Sequence, residues 1–228
     1  MSDAGSLSRS TPARPRAAVS WSGGKDSCAA LVRARADFDV VSMVTMFDES
    51  GLRSRSHGLR PEVLAAQADR LGLRRVTGHC TWDTYDRIFS QALDTLAAEG
   101  TTHVIFGDIL FEEHRQWAER MCAGSGLTAV EPLWGSSTDA LFDEWVSSGS
   151  HAVIVTTRAA VLDETWLGRR LGHDMRPEFE RLGVDPCGER GEYHTAVVNT
   201  PLFSSPLCVR ENGRVQRSDC WALDLLPC

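Results

Sequence analysis

The chain is short of several things. It has a single lysine, Lys25, among its 24 basic side chains, and 2 tyrosines. No apolar run approaches the roughly 20 residues of a membrane-spanning helix, which argues against a helical span. Basic charge is outweighed as well: 24 Lys and Arg face 31 Asp and Glu, for a net charge of −7. A general nucleic-acid or membrane-surface binder needs a basic face, so both classes are disfavoured, although a local basic pocket stays open. The 7 cysteines (Cys28, Cys80, Cys122, Cys187, Cys208, Cys220 and Cys228) are odd in number and scattered, with no C-x-x-C pair. Neither a disulfide framework nor a zinc site is expected, and reduced thiols in a cytoplasmic protein fit best.

What remains is ordinary globular material. A chain of 228 residues with 42% hydrophobic and 24% charged side chains suits one core plus a smaller appended unit. At this size about 70% of the unfolded surface is buried on folding, so no staple is required. Residues 1–16, rich in Ser, Arg and Pro without a hydrophobic stretch, are expected to form a flexible tail, or an extended start, rather than a secretory signal. Apolar strands are expected at Ala17–Trp21, Val40–Phe47, Arg74–Thr77, His103–Phe106 and Leu127–Val130. Helices are expected at Lys25–Ala36, Pro61–Leu71, Thr84–Ala98 and Glu112–Ala123, the second framed by Pro at its start and Gly72 past its end. This alternation predicts an α/β fold with a five-stranded parallel sheet and helices on both faces over residues 17–134. Beyond a boundary near Gly135 the texture changes, and residues 135–228 are expected to form a smaller α+β substrate domain. There the pattern gives a helix at Ser137–Ser148 and strands at Ala152–Thr156, His194–Asn199, Leu207–Arg210 and Arg214–Gln216, with a turn at Glu211–Asn212–Gly213.

The most informative segment is Ser22-Gly23-Gly24-Lys25-Asp26-Ser27, between the first strand and the first helix. Two glycines let an anion approach the backbone, and a helix N-terminus aims N–H groups and its positive dipole end there. Ser22 and Ser27 add hydroxyls and Lys25 a mobile charge, which makes a pocket for a polyphosphate. It is not a Walker A loop, because Asp26 follows the lysine, nor is it G-x-G-x-x-G. The plainer alternative is a Ser-capped Gly turn.

S-G-G-K-D-S resembles the PP-loop of the N-type ATP pyrophosphatases. Gly107-Asp108-Ile109, Pro132-Leu133-Trp134-Gly135, Leu162-Asp163-Glu164-Thr165-Trp166-Leu167-Gly168-Arg169, Gly188-Glu189-Arg190-Gly191-Glu192-Tyr193 and Pro201-Leu202-Phe203 then follow in the order of one branch, the diphthine–ammonia ligase (diphthamide synthase) family. The resemblance runs from about Ala18 to Phe203 and implies the adenine nucleotide alpha-hydrolase (HUP-like) fold. It implies an ATP-dependent ligase that adenylates a carboxylate, releases pyrophosphate and forms an amide with ammonia or a small amine. ATP and Mg²⁺ are the implied cofactors. A carboxylate-bearing acceptor and ammonia are the implied partners, and a homodimer is compatible. Arg190 stands where the family often has Gly and His194 where many members have Glu, a His-Thr version similar to bacterial relatives.

Site residues follow from this resemblance. Ser22, Gly23, Gly24, Lys25, Asp26 and Ser27 would hold the phosphates, with Lys25 and Asp26 catalytic and Asp26 a metal ligand or else a helix-start charge. Backbone at Met46 and Phe47 would take the base, and Gly107 and Asp108 would touch nucleotide or substrate, unless Asp108 only caps the next helix. Glu189 and Glu192 would steer the amine or position the acyl adenylate. His57, Glu164, Trp166, Gly188, Gly191, Tyr193 and His194 would shape the acceptor site. For Glu164 and Trp166 the alternative is a helix capped by Asp163 with Trp166 in the core. For His57 it is an exposed loop, and for His194 either acid–base work near neutral pH or a backbone-bonded strand residue. Two other functions compete: a PP-loop tRNA-modifying enzyme, with Cys80 and Cys187 as sulfur carriers, and a non-catalytic adenine-nucleotide-binding regulator.

Overall fold

The computed structural model describes residues 13–228. Residues 1–12 of the expected tail lie outside the described residues. At its other end Arg16 opens the first strand, and Arg14 Nη1 donates to the Arg35 carbonyl at 2.6 Å.

Five parallel strands, β1 (Arg16–Ser20), β2 (Asp39–Phe47), β3 (Arg74–His79), β4 (His103–Ile105) and β5 (Thr128–Val130), form one sheet in the order β3-β2-β1-β4-β5. Four helices connect them: α1 (Lys25–Ala34), α2 (Pro61–Leu71), α3 (Tyr85–Ala98) and α4 (Glu112–Gly124). Alternation along the strands assigns the faces. Ala17, Val19, Met43 and Ile105 join Leu31 of α1 and Leu64 of α2 in one core cluster. Ala18, Val44, Val104 and Phe106 join Phe89 and Leu93 of α3 and Cys122 of α4 in the other. The sheet is therefore buried on both faces, as its near-continuous apolar strands require.

After α5 (Thr138–Ser147), an antiparallel sheet of β6 (His151–Arg158), β7 (Tyr193–Asn199), β8 (Val209–Arg217) and β9 (Cys220–Pro227) is ordered β7-β6-β9-β8. A short helix α6 (Arg176–Leu182) precedes β7. Phe142 of α5, Ile154 of β6 and Tyr193 of β7 belong to the same core cluster as α1 and α2, so the two sheets share one apolar interior.

Two expectations need correction. The turn at Glu211–Asn212–Gly213 does not exist: β8 runs straight through it, with a register shift between Glu211 and Gly213 against β9. The chain reverses instead at Ser218, at φ 48°, before β9, a strand that the sequence pattern did not show. Pairing along the whole hairpin overrides a local Asn-Gly turn signal, which becomes a bulge. Cys208 and Cys228 form a disulfide with Cα atoms 5.5 Å apart, contrary to the expectation of reduced thiols only. They are brought together because the two ends of the β8–β9 hairpin meet, which spacing alone does not reveal. No helix among the described residues is long and apolar enough to cross a membrane.

Candidate active site

In the parallel sheet, β1 lies between β2 and β4, and the chain leaves these strands toward opposite faces. Such a reversal opens a crevice beyond the carboxyl ends of the strands. A cavity of about 660 Å³ occupies it, lined from one side by Ser22–Ser27 without its glycines, by Met46 and by Gly107–Asp108, and from the other by Cys187–Glu189 and Tyr193–Thr195.

Gly23 adopts φ +86°, a conformation that a side chain would resist, and a Cβ there would meet Leu59 and Leu64 at 2.7 and 2.8 Å. Its carbonyl accepts from Gln67 Nε2 (3.0 Å) and from the Val197 N–H of β7 (2.9 Å). The loop amides are less bare than the hexapeptide implies. Gly24 N–H donates to Ser22 Oγ at 3.3 Å, and Lys25 N–H to Thr195 Oγ1 at 3.0 Å. The N–H groups of Asp26 and Ser27 find no acceptor among the described residues, so they are the open donors of the helix start. Gly107 presses on this turn: a Cβ on it would lie 2.8 Å from both Asp26 C and Ser27 N.

Lys25 is buried, at 3% exposure. Its Nζ donates to both carboxylate oxygens of Asp26 at 2.8 Å and to the Cys187 carbonyl, and lies 5.4 Å from the Tyr193 ring centroid. Burial, the largest single influence, works against its charge, but Asp26 together with Tyr193 and Cys187 outweighs it and raises the proton affinity above the ordinary value. Glu189 shows the converse. Burial, then the nearby charge of Asp26, pushes its carboxyl up to about 7. Asp108 is also raised, by burial, against the opposing pull of His114, whose Nδ1 lies 3.3 Å away. Four carboxylates, Asp26, Asp86, Asp108 and Glu189, thus share a cavity with one lysine.

A family model described as the diphthamide synthase N-terminal domain matches residues 15–129, and one described as the diphthamide synthase C-terminal domain matches residues 137–224. The chain belongs to the diphthamide synthase family. Among curated relatives, a Rattus norvegicus protein named diphthine–ammonia ligase is 28% identical, over 89% of this chain and 86% of its own length. One of the same name from Danio rerio is 29% identical, over 87% of this chain and 88% of its own. A third, from Schizosaccharomyces pombe, is 28% identical over 86% of this chain, which spans 36% of that longer protein.

Within this diphthamide synthase fold, Ser22, Lys25, Asp26, Ser27, Met46, His57, Gly107, Asp108, Gly188, Glu189, Gly191, Tyr193 and His194 all line the cavity. Glu192 does not. Its buried carboxylate accepts from Asp185 N (3.1 Å) and Arg190 N (3.0 Å), which engages it within its own loop. Glu164 and Trp166 do not reach the cavity either. Asp163 caps their 3-10 turn through Thr165 N at 2.9 Å, and Trp166 stacks on Phe179 in the core, 5.4 Å between centroids. Phe47 turns away toward His79, and its carbonyl accepts from Cys80 N. The Met46 carbonyl accepts from Arg55 N at 2.9 Å. Asp108 is no helix cap, since Phe111 holds that position.

His57 and His194 stack at 4.6 Å. Burial, and then the charge of Lys25, lowers His57 to about 4, against the hydrogen bond to the Thr195 carbonyl; burial, and then the His57 ring and Lys25, lowers His194 to about 3, which speaks against the acid–base alternative for His194 near neutral pH. Cys187 is unsuited to sulfur transfer: burial pushes its thiol up to about 12, far from a reactive thiolate. The sequence reading missed Thr195, and it missed the aromatic wall of Trp82, Tyr85, Phe106 and Trp117 on the far side of the cavity. The period of Tyr85 and Phe89 on α3 was a visible sign of that wall, whereas Thr195 carries no local signal.

Proposed function

We propose that this chain is an ATP-dependent amide-forming ligase that works at the cavity between the Ser22–Ser27 loop and the Gly188–Tyr193 loop. The observation that carries this reading is the convergence, on one cavity, of an open helix N-terminus with Lys25 and of a half-buried carboxylate, Glu189, poised near neutrality. A carboxylate cannot be aminated directly because oxide is a poor leaving group. Attack of the acceptor carboxylate on the α-phosphorus of ATP expels pyrophosphate and gives an acyl adenylate. Ammonia then attacks the acyl carbon and AMP leaves with the bond electrons.

The residues divide these tasks by chemistry. The Asp26 and Ser27 amides, with the Ser22 hydroxyl beside them, are donors for phosphate oxygens on which charge develops, and one such donor contributes about 3–4 kcal/mol to the barrier. Lys25, held by Asp26 and Cys187, keeps positive charge at that corner without solvent reorganisation. Glu189, with its carboxyl near 7, can take the proton that the incoming amine must lose.

The donor set also fits Mg²⁺. Among the described residues no cluster of three or more side chains is arranged as a metal site, but Mg²⁺ needs only one or two carboxylates beside substrate phosphates and water. The excess of carboxylates over cations in the cavity favours a divalent ion, with Asp26 and Asp108 as its holders. When bound, it would offset charge on the leaving pyrophosphate. Diphthine is the acceptor in the names of the relatives, and a diphthine-like carboxylate is the first to try here. The test is a screen of acceptors that follows AMP and pyrophosphate, with Lys25→Ala as control. Ammonium-stimulated AMP formation that needs Lys25 is expected, and ADP as the sole product rejects the reading.

A further inference from the structure

Lys25 bonds both ends of the loop that carries Glu189. Its ammonium donates to the carbonyl of Cys187, just ahead of Gly188. Its backbone N–H donates to the hydroxyl of Thr195 at 3.0 Å, two residues after Tyr193, in a buried contact that spans 170 positions of sequence. Between these two points the loop is bonded to itself. Gly191 N–H bonds the Gly188 carbonyl at 2.9 Å, and the Glu192 carboxylate takes the amides of Asp185 and Arg190. Thr195 extends the connection further: its carbonyl meets His57 Nδ1 at 2.8 Å, and His57 packs over Gly24. Two residues on, Val197 N–H donates to the Gly23 carbonyl.

We propose that Thr195 is a positioning residue: its hydroxyl, on the first amide of α1, locks the Glu189 loop to the phosphate loop, so that occupation of the phosphate loop orders Glu189. This rests on the reading of the cavity as an ATP site. A phosphate seated on the amides of Asp26 and Ser27 fixes the same helical turn whose first N–H Thr195 already holds. The turn and β7 then move as one body, and the loop between Cys187 and Thr195 inherits that order. Without the hydroxyl, the Lys25 N–H is left buried and unpaired, which favours separation of β7 from the turn.

Hydrogen exchange with and without ATP, on wild type, Thr195→Ser and Thr195→Val, tests the idea. In wild type, ATP should protect peptides covering residues 22–28 and 187–194 together. In Thr195→Val, ATP should still protect 22–28 but no longer 187–194, and tryptic cleavage after the exposed Arg190 should rise about tenfold with cleavage elsewhere unchanged. Thr195→Ser, which keeps the hydroxyl, should behave as wild type. The proposal is overturned if ATP protects 22–28 in wild type without any response at 187–194, or if Thr195→Val responds as wild type does. The wild-type comparison decides alone should the valine variant not fold. Absence of protection at 22–28 in wild type would instead reject the ATP site itself, and the inference with it.

Discussion

Replacing Gly107 by alanine tests the architecture at its tightest point. The new Cβ would stand 2.8 Å from Asp26 C, 2.8 Å from Ser27 N and 3.0 Å from Asp26 O. Ordinary van der Waals contact begins near 3.4 Å, so the helix start and the segment after β4 must part by roughly half an ångström or more. All three atoms are backbone, so no rotamer change relieves the clash. Overpacking of this kind costs about 1–3 kcal/mol of stability. Displacement of a reacting group by ~1 Å costs about 10²-fold in rate, and the turn that moves holds the two open amides. The expected result is a fall in kcat/KM for ATP of roughly 10- to 100-fold, measured by pyrophosphate release, with a Tm lower by about 2–10 °C. Gly124→Ala is the matched control, because a Cβ there meets nothing within 4 Å at the end of α4 and should leave both quantities near wild type. Wild-type kcat/KM and Tm in Gly107→Ala would refute the claim that this contact sets the phosphate loop.

Other outcomes follow from the same geometry. Glu189→Gln should lower ammonium-dependent AMP formation by about 10²-fold or more and abolish a rate limb that in wild type rises with pH through about 7, read from a pH–rate profile. The stacked histidines make stability fall in acid. Unfolded His57 takes its proton near 6.5 and folded His57 only near 4. Its contribution, roughly 3 kcal/mol, is therefore full above pH 6.5 and is lost as pH drops toward 4. Thermal melts across that window should show the loss, and His57→Gln should flatten it. Asp224, which receives Arg53, Arg60 and Asn212 at 2.6–2.8 Å, ties β9 to the loop ahead of α2. Asp224→Ala should cost about 2 kcal/mol, a Tm decrease of about 4–8 °C, because two part-buried guanidinium groups lose their partner.

Local signals were legible in the sequence and distant contacts were not. The bounds of α2 agree at both ends because Pro61 at the start and Gly72, at φ 65° past the end, are instructions carried by the residues themselves. The phosphate loop was legible for the same reason, and the parallel sheet followed from its apolar strands. Glu189 and Glu192, two glutamates three positions apart in one motif, looked equivalent, and only folding shows one facing the cavity and the other consumed by backbone amides. Thr195 was invisible because its meaning lies in a partner 170 positions away. The Asn212–Gly213 signal misled because a bulge and a turn call for the same residues, and only the partner strand decides between them.

The seclusion of Lys25 has a practical consequence. Its ammonium is the one lysine side chain in the sequence, and it is 3% exposed and hydrogen-bonded to Asp26 and Cys187. Folded protein should therefore resist acetylation, ubiquitin conjugation and glutaraldehyde coupling at lysine, and any acyl mark found on residue 25 would report a molecule whose phosphate loop had already come apart.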